Sequence, residues 1–150
     1  MASSGDERCP CGSGRSAARC SHAGLLARPP TNTDGDPLLY TEDRYALDGV
    51  DPEELLVRLR RLRGLLVEAE GPEGTRISFV RKGNPIYPSW DLTVVGHALV
   101  TRDRLILTTN SVRRADLLRK RVERVAGDLL GRRIRSHQDP TSRAAAERAP

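Results

Sequence analysis

From Asp51 onward the apolar residues follow two periods in turn, and this alternation restricts the fold more than any other feature of the chain. Leu55, Leu59, Leu62 and Leu66 recur at helical spacing and mark one buried stripe. Ahead of them Asp51 can accept first-turn amides, Pro52 suits the first helical position, and Glu54 completes a capping box. Gly71-Pro72 is the expected stop. Residues 75–81 then read as a strand around Ile77 and Phe79, followed by a loop over 83–89 with two prolines. Residues 92–101 read as a better strand, with Leu92, Val94, Gly96, Ala98 and Val100 on one face. A turn at 101–104 leads into 105–109, giving an antiparallel hairpin.

A second helix follows, capped by Asn110 or Ser111, with Ala115, Leu118, Val122, Val125 and Leu129 as its stripe and Gly131 as its stop. Residues 132–137 add an edge strand. The order α-β-β-β-α-β predicts an α+β fold, with two helices packed on one face of a mainly antiparallel sheet. Only five aromatics are present (Tyr40, Tyr45, Phe79, Tyr87 and Trp90), so the core must be built from Leu, Val and Ile.

Around this α+β domain, taken as 38–138, the expected organisation is a cysteine-bearing segment at 1–24, a linker at 25–37 and a disordered tail at 139–150. Prolines and turn formers dominate 28–37, and the tail buries nothing obvious. No apolar run approaches the ~20 residues that cross a bilayer, and the N-terminus shows no secretory h-region. The expectation is a cytoplasmic protein without membrane insertion. Oligomeric state is not readable.

Charge is unevenly spread. The chain carries +5 overall, yet residues 101–135 hold 11 basic and 4 acidic groups, while residues 1–100 are net acidic. Such a concentrated segment points to phosphate or acidic partners. Against this, 23 of the 25 cations are Arg, a bias that also follows from a GC-rich genome. Within the segment, Thr108 to Arg114 places hydroxyls, an amide and two arginines at a helix start, where free amides and the dipole attract anions. Lys120 and Arg124 continue the line from Arg113, so Arg113, Arg114, Lys120 and Arg124 are the candidate anion or nucleic-acid residues. The alternative is a solvated face with internal pairs such as Asp116 with Lys120. On the first reading, reversing Arg113 and Arg114 to Glu leaves stability unchanged or raised. No aromatic lies in this stretch, which counts against sequence-specific single-strand recognition.

All three cysteines and one histidine fall within fourteen residues: Cys9-Pro10-Cys11-Gly12-Ser13-Gly14, then Cys20-Ser21-His22. A structural zinc site takes four N/S ligands in a tetrahedron, and an odd cysteine count argues against disulfides. Gly12 and Gly14 allow a tight turn whose amides can donate to thiolate, and Arg15 and Arg19 offset the excess negative charge. This segment resembles the SEC-C zinc motif, known from the C-terminal tail of the SecA translocase motor. The resemblance covers about fourteen residues and implies Cys9, Cys11 and Cys20 as zinc ligands. It departs from the family at Ala17, where an aromatic is usual, and at Ser21, where the fourth ligand normally stands. His22 or a water therefore completes the set. The resemblance implies a small docking module for a protein or ribosomal partner.

The loop 84–91 holds Tyr87 and the sole Trp90, as a binding edge or as a cap on the sheet. His97 reads as a core or interface histidine. The chain has no P-loop, Rossmann fingerprint or nucleophile elbow, and nothing gathers Asp91, His97 and Asp103 into one pocket. The expectation is not an enzyme but a zinc-binding interaction or adaptor protein docking a protein or ribonucleoprotein partner. The alternative is a nucleic-acid-binding protein using the basic helix at 111–135.

Overall fold

A computed structural model of the chain describes residues 15–16 and 30–140. The chain divides into two units, 1–30 and 31–150. Cys9, Cys11, Cys20 and His22 lie outside the described residues, as does nearly all of the expected tail.

The second unit is an α+β fold, a six-stranded antiparallel sheet with two helices. In chain order the elements are β1 (Tyr40–Ala46), α1 (Pro52–Leu59), β2 (Leu65–Gly71), β3 (Gly74–Lys82), β4 (Leu92–Val100), β5 (Arg104–Thr109), α2 (Val112–Ala126), a 3-10 turn (Gly127–Leu129) and β6 (Arg133–Gln138). Strand order is β2-β3-β4-β5-β1-β6. Both helices join a single core with Tyr45, Ile77, Phe79, Val100, Leu105 and Leu107 from the sheet. Leu55, Leu56 and Leu59 of α1 meet Leu118, Val122 and Ala126 of α2 in that cluster.

The local signals form as expected where they depend on near neighbours. Asp51 caps α1 by accepting the Glu53 amide at 3.0 Å, and Ser111 caps α2 by accepting the Arg114 amide at 3.1 Å. The β4–β5 hairpin closes through Thr101, whose amide donates to the Arg104 carbonyl.

Four expectations change. The first helix stops at Leu59, not at Gly71. Gly64 takes φ of +75°, and a Cβ there would stand 2.1 Å from the Val80 carbonyl oxygen, so the chain turns sharply and lies against β3. Residues 65–71 then form β2, and Gly71-Pro72 belongs to the β2–β3 hairpin turn rather than to a helix end. Secondly, the face predicted for 92–101 breaks. A register shift between Phe79 and Val80 turns Leu92 and Val94 outward, while Gly96, Ala98 and Val100 stay buried.

Thirdly, α2 ends at Ala126 with Gly127 as its cap, four residues before Gly131, and passes into the 3-10 turn. Fourthly, β1 is an additional strand, and the second half of the expected linker is ordered. Thr31 bridges Pro37, and Asn32 Oδ1 accepts the amides of Asp34 and Asp36. No helix among the described residues is long and apolar enough to cross a membrane.

Candidate anion-binding groove

The N-terminus of α2 is already neutralised from within. Asp34, on the 31–37 loop, places its carboxylate between two arginines: Arg114 Nε donates to it at 2.9 Å and Arg81 at 2.6 Å. Arg114 is satisfied on every nitrogen, because it also donates to Thr33 Oγ1, Asn110 Oδ1 and the Val94 carbonyl. Its side chain is 5% exposed. Asp36 accepts from the Ser111 hydroxyl and faces Arg113 at 3.5 Å. The anion that the first-turn arginines call for is therefore the protein's own loop.

This corrects the reading of the two arginines as equivalent surface groups. Arg113 is exposed and belongs to the surface; Arg114 is a buried strut. Reversing Arg114 to Glu would set two carboxylates together in a buried position, so stability must fall rather than hold or rise. The internal pair suggested for Asp116 and Lys120 is replaced by Asp116 with Arg135, at 2.7 Å. Arg135 pulls the Asp116 carboxyl below its ordinary range.

Hydrogen bonds from Arg114 and then Arg81 overcome the opposing effect of burial and hold the Asp34 carboxyl down at about 2, below the usual 3.8. A depressed carboxyl stabilises the fold fully above its unfolded value and ceases to do so as pH falls through the folded one. Asp34 should thus contribute about 2 kcal/mol near neutrality, lost between about pH 4 and pH 2. In acid unfolding followed by circular dichroism, Asp34→Asn is expected to be less stable at neutral pH. It should also lack that part of the acid slope. An unchanged slope in the variant would show that Asp34 has no part in acid stability.

Beyond this strut, α2 and the β3–β4 end of the sheet enclose a groove of about 820 Å³. One wall is α2, with Arg113, Lys120, Arg121 and Arg124; the other carries Arg81 and Lys82 from β3 and Arg63 from the α1–β2 turn. All four predicted ridge residues line it, together with four further cations, against the single carboxylate of Asp34 among the described residues. Both lysines of the chain are among them. Arg63, Lys82, Lys120 and Arg124 have no carboxylate within ion-pair distance among the described residues, and all four are exposed. Val80, Leu92, Val95, Leu117 and Leu118 supply apolar surface between the charges. Arg63, Arg81 and Lys82 were absent from the sequence-derived set, because only the fold brings them opposite α2.

Other candidates do not converge. Arg133 and Arg135 lie on β6 and pair with the buried Asp43 at 3.2 and 2.7 Å, away from the groove lining. Tyr45 is buried with its hydroxyl donating to Glu123 at 2.8 Å, and burial first, then that carboxylate, raises its pKa. His97 is exposed on the sheet face opposite the core, its Nδ1 3.0 Å from the Ser78 hydroxyl. Ser78 Oγ donates to Glu68 and so stands between that carboxylate and the ring. Ser78 is buried, and its hydroxyl hydrogen goes to Glu68.

Asp91 and Asp103 sit in different loops, and neither shares a lining with His97. Among the described residues no cluster of three or more His, Cys, Asp or Glu is placed to hold a metal. Comparison with family models, curated proteins and solved structures finds no match to this chain.

Proposed function

We propose that this chain is a zinc-carrying adaptor that docks a phosphate-bearing partner, a nucleic acid or ribonucleoprotein, through the groove between α2 and β3–β4. One observation supports this most: beside the buried strut Arg114, seven further cations from three separate segments converge on one groove whose lining holds a single carboxylate among the described residues. A merely solvated arginine surface has no reason to converge. Cations aligned along a groove with low-dielectric walls focus potential and suit a chain of phosphates, whose binding releases counterions. The segment with Cys9, Cys11, Cys20 and His22 adds a compact zinc-held docking element, on the chemistry of its donors. The reading is of a binding protein rather than an enzyme.

Lys120→Glu combined with Arg124→Glu tests the groove. Both side chains are exposed and without a carboxylate partner at ion-pair distance among the described residues, so the melting temperature should change little. Affinity for oligonucleotides at low salt should fall roughly tenfold or more, at every sequence tried. Unchanged affinity in the double variant, measured by fluorescence anisotropy, would rule out the groove.

A further inference from the structure

We propose that the groove's ligand is a single-stranded nucleic acid, its phosphates on the cationic rim and its unpaired bases against the apolar floor and the Tyr87–Trp90 ring pair. This rests on the reading of the groove as a phosphate site and adds what the apolar surface is for. The loop between β3 and β4 carries Tyr87 and Trp90, stacked with ring centroids 4.7 Å apart and planes inclined by 18°. Both rings remain nearly half exposed. The loop's two ends are groove residues, Arg81 and Lys82 on one side and Leu92 on the other, so the ring pair belongs to the loop that joins two lining segments.

The pair is held in place before any ligand arrives. Asn84 Oδ1 accepts the amides of Ile86 and Tyr87, and its amide group donates to Thr93. Thr93 in turn donates to the Gly83 carbonyl, and the Gly83 amide closes the loop onto Asp91 at 2.7 Å. Trp90 donates its amide to the Tyr87 carbonyl at 3.0 Å. Exposed aromatic faces fixed in this way lose little entropy when a flat partner stacks on them.

A duplex keeps the flat faces of its bases stacked inward and presents phosphates, sugars and base edges, so the two rings would find no base face to stack on. An unpaired strand offers both halves: a charged backbone and flat apolar bases that stack whatever their sequence. An acidic protein segment would match the charge and the floor, but it has no general need of a stacked ring pair. On this proposal the aromatics missing from the basic stretch come from the β3–β4 loop, whose two ends line the groove.

Trp90 is the only tryptophan, so its fluorescence reports on this loop alone. The full chain is titrated at low salt with a short oligothymidylate, a duplex of equal length and polyglutamate, each labelled for anisotropy. The expected result is tighter binding of the single strand, by roughly tenfold, with quenching of Trp90. Trp90→Ala should lower single-strand affinity about tenfold and leave duplex binding unchanged, whereas Trp90→Phe should retain most of it. Equal affinity for strand and duplex, without quenching and without loss in Trp90→Ala, overturns the single-strand proposal while the phosphate groove stands. Binding and quenching by polyglutamate alone assigns the groove to an acidic protein and overturns it. No binding of any of the three overturns the groove reading and this proposal together.

Discussion

Arg114→Ala is expected to lower the stability of the 31–150 unit by about 3–5 kcal/mol, the usual cost of removing one partner from a buried ion pair. The guanidinium joins four separate groups: Asp34, Thr33, Asn110 and the Val94 carbonyl. Without it the loop 31–37 loses its main attachment to α2, and Asp34 keeps only Arg81. Arg114→Lys should recover only part of the loss, since an ammonium cannot reproduce the planar fork. The neighbouring Arg113→Ala should cost no more than about 1 kcal/mol, because that side chain is 66% exposed and its pairing with Asp36 spans 3.5 Å. Urea denaturation of the three variants checks the contrast. Equal losses at 113 and 114 would contradict the placement of Arg114 as a buried strut.

That contrast also marks what the sequence could not reveal. Arg113 and Arg114 are alike in type and local context, and only the distant Asp34 makes them different. The caps at Asp51 and Ser111 and the β4–β5 turn were legible because their partners lie within a few residues. β2 was hidden because Leu62 and Leu66 continue the helical spacing of Leu55 and Leu59; the neglected signal was Gly64, which can take the positive φ that ends the turn. β1 was hidden for another reason. Its core-side positions Thr41, Asp43 and Tyr45 look half polar, and Asp43 is buried only because Arg133 and Arg135 of β6 reach it from the next strand.

The groove shows the same division. Its α2 wall followed from helical spacing within one segment, whereas Arg63, Arg81 and Lys82 reach it by sheet pairing. The outward turn of Leu92 depends on the register shift between β3 and β4, which no local pattern announces. The 31–37 loop read as a linker because its prolines and turn formers describe both a spacer and a tight, side-chain-bonded turn.

The second large effect is expected at the metal. Purified protein should carry one zinc per chain, and Cys11→Ser should abolish stoichiometric metal, since structural sites of this kind owe about 10–16 kcal/mol of binding energy to a complete ligand set. His22→Ala should weaken binding without abolishing it. Chelation should leave the thermal transition of the 31–150 unit in place, because both helices and the sheet share a core of their own there. Full metal occupancy after replacing both Cys9 and Cys11 would contradict the assignment, and coincident loss of the thermal transition would contradict the independence of the core.

Salt dependence decides most directly whether the groove meets phosphates. Single-strand affinity is measured across a range of salt concentrations, for the wild type and for Lys120→Glu/Arg124→Glu. For the wild type, log affinity should fall linearly with log salt, by about 0.7 for each phosphate neutralised. In the double variant the line should lie lower and be shallower by roughly one to two such increments. A wild-type affinity insensitive to salt, or identical slopes in the two proteins, would contradict the phosphate-binding groove.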